Sequence, residues 1–168
     1  MAFLRRMLCV IDSQGDSGLV FVMPGMKPLP AVKYPHMMPE DTVIWTRFLK
    51  NADVRIDEVW YDVRVGKAVE VPSGQPEWMK RFAEYSTRKR IDIVARRGND
   101  YWIIEAKPKA GVVALGQALY YAEAFKAEFK PTASVVPAVV TDRVDPDVRP
   151  IFDRYGVVVF EVGVGAQE

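Results

Sequence analysis

The fold is decided by residues 89 to 107, which read KRIDIVARRGNDYWIIEAK. Lys89 to Ala95 and Tyr101 to Ala106 are rich in β-branched and aromatic residues, which favour strands. Between them stands Arg97-Gly98-Asn99-Asp100, a sequence that is typical of a tight turn. The stretch therefore predicts two antiparallel strands that are joined by a short hairpin.

Two carboxylates and one lysine stand next to the apolar residues of these strands. Asp92 stands between Ile91 and Ile93, and Glu105 and Lys107 close the second strand. Because successive side chains of a strand point to opposite faces, Glu105 and Lys107 share a face. The 13 positions from Asp92 to Glu105 fit a hairpin that brings the two acids together on adjacent strands.

A pair of buried carboxylates beside a lysine indicates a site for a hard cation. An unpaired buried carboxylate is costly, and magnesium binds one or two carboxylates together with water and substrate phosphate. Such an ion activates water and neutralises a leaving oxygen, while Lys107 can steer the water and stabilise charge on a phosphate. An ordinary cross-strand ion pair between Lys107 and Asp92 or Glu105 explains the same triplet.

The segments around the hairpin predict alternating helices and strands. The predicted helices are Pro39 to Asn51, Glu77 to Tyr85, Ala110 to Phe129 and Asp145 to Tyr155. The further predicted strands are Val54 to Val65, Ser134 to Val140 and Gly156 to Val162. This order predicts an α/β sandwich with a mixed sheet.

The long predicted helix carries two polar residues off its apolar stripe. The stripe consists of Leu115, Leu119, Ala122 and Phe129. Gln117 and Tyr121 are four positions apart and share a face, where an amide and a phenol can orient the lysine or a phosphate. A satisfied polar residue and a core tyrosine are the alternative interpretation.

These motifs together resemble the PD-(D/E)XK nuclease superfamily. The matching residues are Arg90-Ile91-Asp92-Ile93, Ile104-Glu105-Ala106-Lys107 and Gln117-x-x-x-Tyr121, the last of which resembles the signature of RecB-type members. The resemblance covers about residues 39 to 162 and implies a restriction-endonuclease-like αβββαβ core, with a central mixed sheet flanked by helices. Two departures are the lack of a proline before Asp92 and the proline-rich N-terminal stretch.

The resemblance also implies roles for individual residues. Asp92, Glu105 and the carbonyl of Ala106 are expected to bind magnesium, for which manganese can substitute. Lys107 is expected to be the catalytic lysine, and Gln117 and Tyr121 are expected to support it.

The family further implies an acidic metal ligand on the first helix. Asp41 is preferred over Glu40 because it can share a face with Trp45 and Phe48. His36, the only histidine, precedes the helix and is therefore left out of the expected site.

The function implied by the resemblance is metal-dependent hydrolysis of DNA, as in small phage or mobile-element nucleases. Duplex, branched and single-stranded DNA are open as substrates, as are endonuclease and exonuclease action. The alternative is a nucleic-acid-binding or assembly protein on the same fold with little or no catalysis. An α/β cofactor binder is disfavoured, because the chain has no G-x-G-x-x-G after a strand and no P-loop.

Net charge, cysteine content and the length of apolar runs bear on DNA contacts, disulfides and location. The net charge of +1 excludes a bulk basic excess, so DNA contacts are expected from one basic stretch, namely Arg81, Arg88, Lys89, Arg90, Arg96 and Arg97. The single cysteine, Cys9, rules out an internal disulfide and favours a cytoplasmic location. No apolar run reaches about 18 residues, so no membrane span is expected.

Residues 1 to 36 are expected to be an appendage to a nuclease-like domain of residues 37 to 168. Met7 to Ile11 and Leu19 to Met23 predict a hairpin, and five prolines follow between positions 24 and 39. Such an arm can contact a second subunit, since two equivalent sites suit the cutting of both strands of a duplex. Packing of the arm on its own chain is the alternative.

Overall fold

The computed structural model describes residues 24 to 163, which form a mixed sheet with helices on both faces. The helices are α1 Pro39–Asn51, α2 Glu77–Thr87, α3 Val112–Phe129 and α4 Arg149–Arg154. The strands are β1 Glu58–Val65, β2 Lys89–Arg97, β3 Asp100–Ala110, β4 Ser134–Val144 and β5 Val158–Glu161. The predicted α/β class with a mixed, helix-flanked sheet is confirmed.

The strands lie in the sheet in their chain order, from β1 to β5. β1, β2 and β3 pair antiparallel, whereas β3, β4 and β5 pair parallel. The predicted hairpin joins β2 to β3, and Gly98 in its turn has a φ of 59°, a conformation that glycine adopts without steric cost. The long helix α3 is the crossover between the parallel strands β3 and β4, as such connections require.

Several element boundaries differ from the prediction: β1 begins at Glu58 and not at Val54, β4 ends at Val144 and not at Val140, and two further differences have local reasons. β3 continues past Pro108 to Ala110. The pairing of β3 with β2 has already ended at Ile104, so the proline, which has no N–H, interrupts no hydrogen bond to β2. The predicted helix from Asp145 to Tyr155 shrinks to α4, which begins at Arg149-Pro150. Proline suits the first turn of a helix, and the residues before it form turns instead.

The two long helices cover opposite faces of β3. Trp45 and Phe48 of α1 pack with Ile104, whereas Phe125 of α3 packs with Ile103. The buried stripe of α3 differs from the predicted one: Leu115 and Ala122 are buried as predicted, but Leu119 and Phe129 are only partly buried, and Phe125 lies in the core. Among the residues described here, no helix has the length and apolar character that a membrane crossing needs.

The alternation of side chains along β1 and β2 changes at one level of the sheet. Ile93 packs on the α1 face, but Ile91, two positions earlier, packs on the α3 face together with Val63. At this level Asp62 of β1 has a left-handed φ of 56°, and Asp92 is its counterpart in the register. In an ordinary strand every second side chain lies on the same face of the sheet. The left-handed Asp62 marks the point where this alternation changes, so that Val63 and Ile91 face α3.

Residues 24 to 38 lie along the domain. Met26 exchanges two backbone hydrogen bonds of 2.9 Å with Val59 of β1. The ring of Tyr34 is buried in the cluster that includes α1, and its hydroxyl accepts a hydrogen bond of 2.8 Å from the N–H of Ala31. The part of the proline-rich stretch described here thus packs on its own chain, and the predicted hairpin of residues 7 to 23 lies outside the described residues.

Tyr34→Ala tests this packing. We expect the substitution to lower the free energy of unfolding by about 3 kcal/mol, because it leaves a cavity in the core. Tyr34→Phe removes only the hydroxyl and should cost about 1 kcal/mol. The control is Val32→Ala at a side chain that is 99% exposed, which should change stability by less than about 0.5 kcal/mol. Urea denaturation measures all three, and a Tyr34→Ala protein as stable as the parent would contradict the packing.

Candidate active site

The site lies where β2 and β3 separate. Their ladder runs from the turn back to the pair Ile93 and Ile104 and ends there. The next residues are Asp92 and Glu105, after which β2 continues beside β1 and β3 continues beside β4. The two acids therefore occupy the mouth of an opening between neighbouring strands, as the spacing predicted.

Lys107 joins the acids of two elements. Its ammonium nitrogen Nζ lies 3.0 Å from Oδ2 of Asp41 and 3.2 Å from Oε1 of Glu105. Both carboxylates are buried, whereas the neighbouring Glu40 is exposed. Of the two acids considered for the first helix, Asp41 is thus the one that reaches the site.

Burial and mutual repulsion shape the protonation of the acids. Burial raises the pKa of Asp92 to about 6, and burial together with the negative charge of Asp92 raises the pKa of Glu105 to about 8. Burial also raises the pKa of Asp41. For Lys107, burial favours the neutral amine, but the surrounding carboxylates outweigh it and raise the pKa, so the ammonium stays protonated.

Two carboxylate oxygens of the site have no protein partner. Oδ2 of Asp92 and Oε2 of Glu105 are buried without a hydrogen bond, whereas Oε1 of Glu105 contacts Lys107. Asp92 accepts a hydrogen bond from the N–H of Ala106, and its carboxyl group lies against that of Glu105. Unsatisfied buried oxygens are rare and costly in native proteins. Their chemistry fits a hard divalent cation, which prefers oxygen ligands.

The protein does not supply a complete cage of side chains for such an ion. Between residues 24 and 163 no three His, Cys, Asp or Glu side chains gather as a ready metal site. Two carboxylates with the remaining ligands from backbone, water and substrate phosphate are the arrangement that magnesium commonly uses.

Gln117 and Tyr121 of α3 stand at the same opening. Tyr121 is buried, and burial raises the pKa of its phenol, while the side chain of Gln117 donates a hydrogen bond to it. The charges of Glu105 and Asp92 act on the same phenol, so it lies close to both acids. The amide oxygen of Gln117 is buried without a partner, a third acceptor available to a ligand.

A cleft of about 340 Å³ reaches Asp92. Asp92 and Tyr121 line one part of it, and Arg88, Lys89 and Arg90 line its wall. Positively charged side chains beside a candidate metal site are suited to a phosphate-bearing ligand.

The mouth of the cleft contains residues that sequence analysis missed. Oδ2 of Asp62 lies 3.3 Å from Nε2 of His36 and 3.2 Å from Nη2 of Arg64, and Arg90 contacts both His36 and Asp62. The signal was available for Asp62, which interrupts an apolar strand as Asp92 does. For His36 no such signal exists, because its contacts depend on the path of residues 24 to 38.

The basic stretch predicted to contact DNA is not one patch. Arg88, Lys89 and Arg90 line the cleft, but Arg96 and Arg97 lie at the far end of β2, roughly 20 Å away along the strand. There Arg96 pairs with Glu58, and Arg97 covers the ring of Trp102. The prediction treated these residues as neighbours because they are close in the chain, whereas an extended strand separates them.

The raised pKa values predict that the metal-free protein loses stability as pH rises. From about pH 4 to about pH 8 the folded state binds more protons than the unfolded state, in which these acids have ordinary pKa values. Asp92→Asn removes one repelling charge and should stabilise the protein at pH 8 by on the order of 1–3 kcal/mol, with a smaller gain at pH 5.

Urea denaturation in a chelator at both pH values measures the difference. Glu40→Gln is the control, because this exposed acid on α1 lies outside the buried group. A gain for Asp92→Asn that is equal at both pH values would contradict the assignment of the buried pair.

Comparison with known proteins assigns no family. No family model matches the chain, and no curated protein matches it. A crystal structure of a protein of unknown function, AF1548, is similar over 61% of this chain, with 17% sequence identity and a TM-score of 0.36. The similar region covers 47% of that protein, so this chain spans less than half of its length. A likeness of this extent gives no information on function.

Proposed function

We propose that the protein is a metal-dependent nuclease of the PD-(D/E)XK type, which hydrolyses phosphodiester bonds of DNA. The observation that carries the proposal is the pair Asp92 and Glu105, each with a buried carboxylate oxygen that lacks a partner, beside the protonated Lys107. An ion pair with Lys107 alone leaves these two oxygens without a partner, whereas a cation bound between the acids would satisfy both.

The arrangement of the elements supports the same proposal. Without α2 and the C-terminal pair α4 and β5, the order is α1, β1, β2, β3, α3, β4, which is the αβββαβ order of a restriction-endonuclease-like core. The acids stand on the second and third strands, and the two helices that complete the site flank the sheet. In this proposal α2 is an insertion between the first two strands.

Asp92, Glu105 and the carbonyl of Ala106 would hold magnesium or, as a substitute, manganese. When bound, the ion would lower the pKa of a water molecule and neutralise charge on the phosphate. The ammonium of Lys107 remains protonated and therefore acts as a hydrogen-bond donor to the water or to a phosphate oxygen, not as a general base. Asp41 orients this ammonium and is a candidate for a further ligand.

Gln117 and Tyr121 have supporting roles in the proposal. The side chain of Gln117 donates a hydrogen bond to the phenol of Tyr121, which lines the cleft. The hydroxyl of Tyr121 can in turn donate a hydrogen bond to a phosphate oxygen of the bound strand. Lys89 and Arg90 of the wall would hold the neighbouring phosphates, while Arg88 is paired with Glu128.

Asp92→Asn and Glu105→Gln should each slow cleavage by at least about 100-fold while the fold is kept, because each substitution removes a charged oxygen from the metal site. Incubation with labelled duplex, branched and single-stranded DNA, with magnesium, manganese or a chelator, measures cutting. Glu40→Gln is the control and should cut at the parent rate.

A variant of either acid that cuts like the parent would place the active site elsewhere. A parent protein that binds these DNAs but cuts none of them with either metal would favour the alternative, a binding or assembly protein on the same fold.

The division of the basic stretch predicts which residues control the salt dependence of DNA binding. Replacing Lys89 and Arg90 together by alanine should make the slope of log affinity against log salt shallower by roughly 0.9 for each lost phosphate contact on duplex DNA. The matched control replaces Arg96 and Arg97 by alanine and should leave the slope unchanged. Fluorescence anisotropy in a chelator measures both, and equal effects of the two pairs would contradict a track through the cleft.

A further inference from the structure

Helix α2 exposes a row of aromatic rings. Trp78 is 63% exposed, Phe82 is 62% exposed and the ring of Tyr85 is half exposed. Their spacings of four and three positions place them on one face of the helix. Only Ala83 of this helix is buried, so α2 presents its largest side chains to solvent and not to the core.

The aromatic row leads into the cleft. Tyr85 is followed by Ser86 and Thr87, which line the cleft, and then by the wall of Arg88, Lys89 and Arg90. The guanidinium of Arg64 lies 4.0 Å from the centre of the Tyr85 ring and also contacts Asp62 at the mouth of the cleft. The rings and the basic wall therefore form one continuous surface that ends at Asp92.

The charge of this surface distinguishes between two occupants. Residues 77 to 90 contain five basic and two acidic side chains. With Arg64 and the paired acids Asp62 and Glu128 included, the surface has six basic and four acidic side chains, so a small excess of positive charge remains. A second copy of the chain that packed here around a two-fold axis would bring like charges together, which is unfavourable. A nucleic-acid strand instead offers flat bases to the rings and negative phosphates to the basic wall.

Single-stranded DNA fits the rings better than a duplex. In a duplex each base already stacks on its neighbours, whereas an unpaired base offers its face to an aromatic side chain. From Trp78 to Tyr85 the helix rises by about 10 Å, so the row has room for a short run of bases.

We propose that Trp78, Phe82 and Tyr85 form a stacking platform for a single-stranded segment of DNA, which the basic wall leads to the cleft. The preferred substrates are thus DNAs with an unpaired end or gap. This preference rests on the proposed function, but binding to the platform does not require cleavage and is tested separately from it.

The tryptophans provide a direct measurement. Of the four in the chain, Trp45, Trp60 and Trp102 are buried, so Trp78 is the one that a bound base can reach. Titration with an oligothymidylate of about 12 nucleotides in a chelator should quench the tryptophan fluorescence of the parent protein. The anisotropy of a labelled copy of the same oligonucleotide gives the affinity.

Substitutions separate stacking from charge. Replacing Trp78 and Phe82 together by alanine should weaken binding of the oligonucleotide by about tenfold or more and leave binding of a blunt duplex nearly unchanged. Trp78→Phe keeps a ring and should keep most of the affinity while losing the quenching. Tyr155→Ala is the control, at a tyrosine that is 59% exposed and follows α4 near the opposite edge of the sheet.

Three results would overturn the platform. The first is an unchanged oligonucleotide affinity in the double alanine variant, and the second is binding to the parent protein without quenching. The third is a parent protein that is a dimer in light scattering, together with a double variant that is a monomer and keeps its oligonucleotide affinity. Failure of the nuclease proposal looks different, because the parent would then show quenching and loss of affinity in the double variant but no cutting of any DNA.

Discussion

The contact on which the site depends is the ammonium of Lys107 between Asp41 and Glu105. It joins helix α1 to strand β3 through two buried carboxylates, and its charge also acts on Asp92. Without this cation three acids would share a poorly solvated space and repel each other, and at least some of them would take up protons. Lys107 thus lowers the pKa of the acids around it, although burial still raises the pKa of Glu105 to about 8.

The packing of the helices against the sheet offsets the cost of placing the acids around Lys107 close together. α1 is anchored by Trp45 and Phe48, whose rings stack with centroids 5.1 Å apart, and α3 is anchored by Phe125 in the opposite layer. These helices hold Asp41 and Tyr121 against the opening from the two faces of the sheet. A protein that places repelling acids on rigid elements in this way exchanges stability for a preorganised site.

The structural features that were predicted correctly from the sequence depend on interactions between residues that are close in the chain. The hairpin and the meeting of Asp92 with Glu105 follow from turn chemistry and from the alternation of strands, so neither requires knowledge of distant contacts. The cluster of His36, Asp62 and Arg90 was not predicted, because it depends on the left-handed conformation of Asp62 and on the path of residues 24 to 38. Tertiary packing also decided that Phe125, and not Phe129, lies in the core.

The backbone pairing of Met26 with Val59 has a consequence for association between molecules. β1 is an edge strand, and a bare edge is a template on which another chain can add a strand and start aggregation. Met26 occupies part of that edge with two hydrogen bonds, and the opposite edge strand, β5, is only four residues long. Both borders of the sheet that the described residues form are thus blunted against the addition of a strand from another molecule.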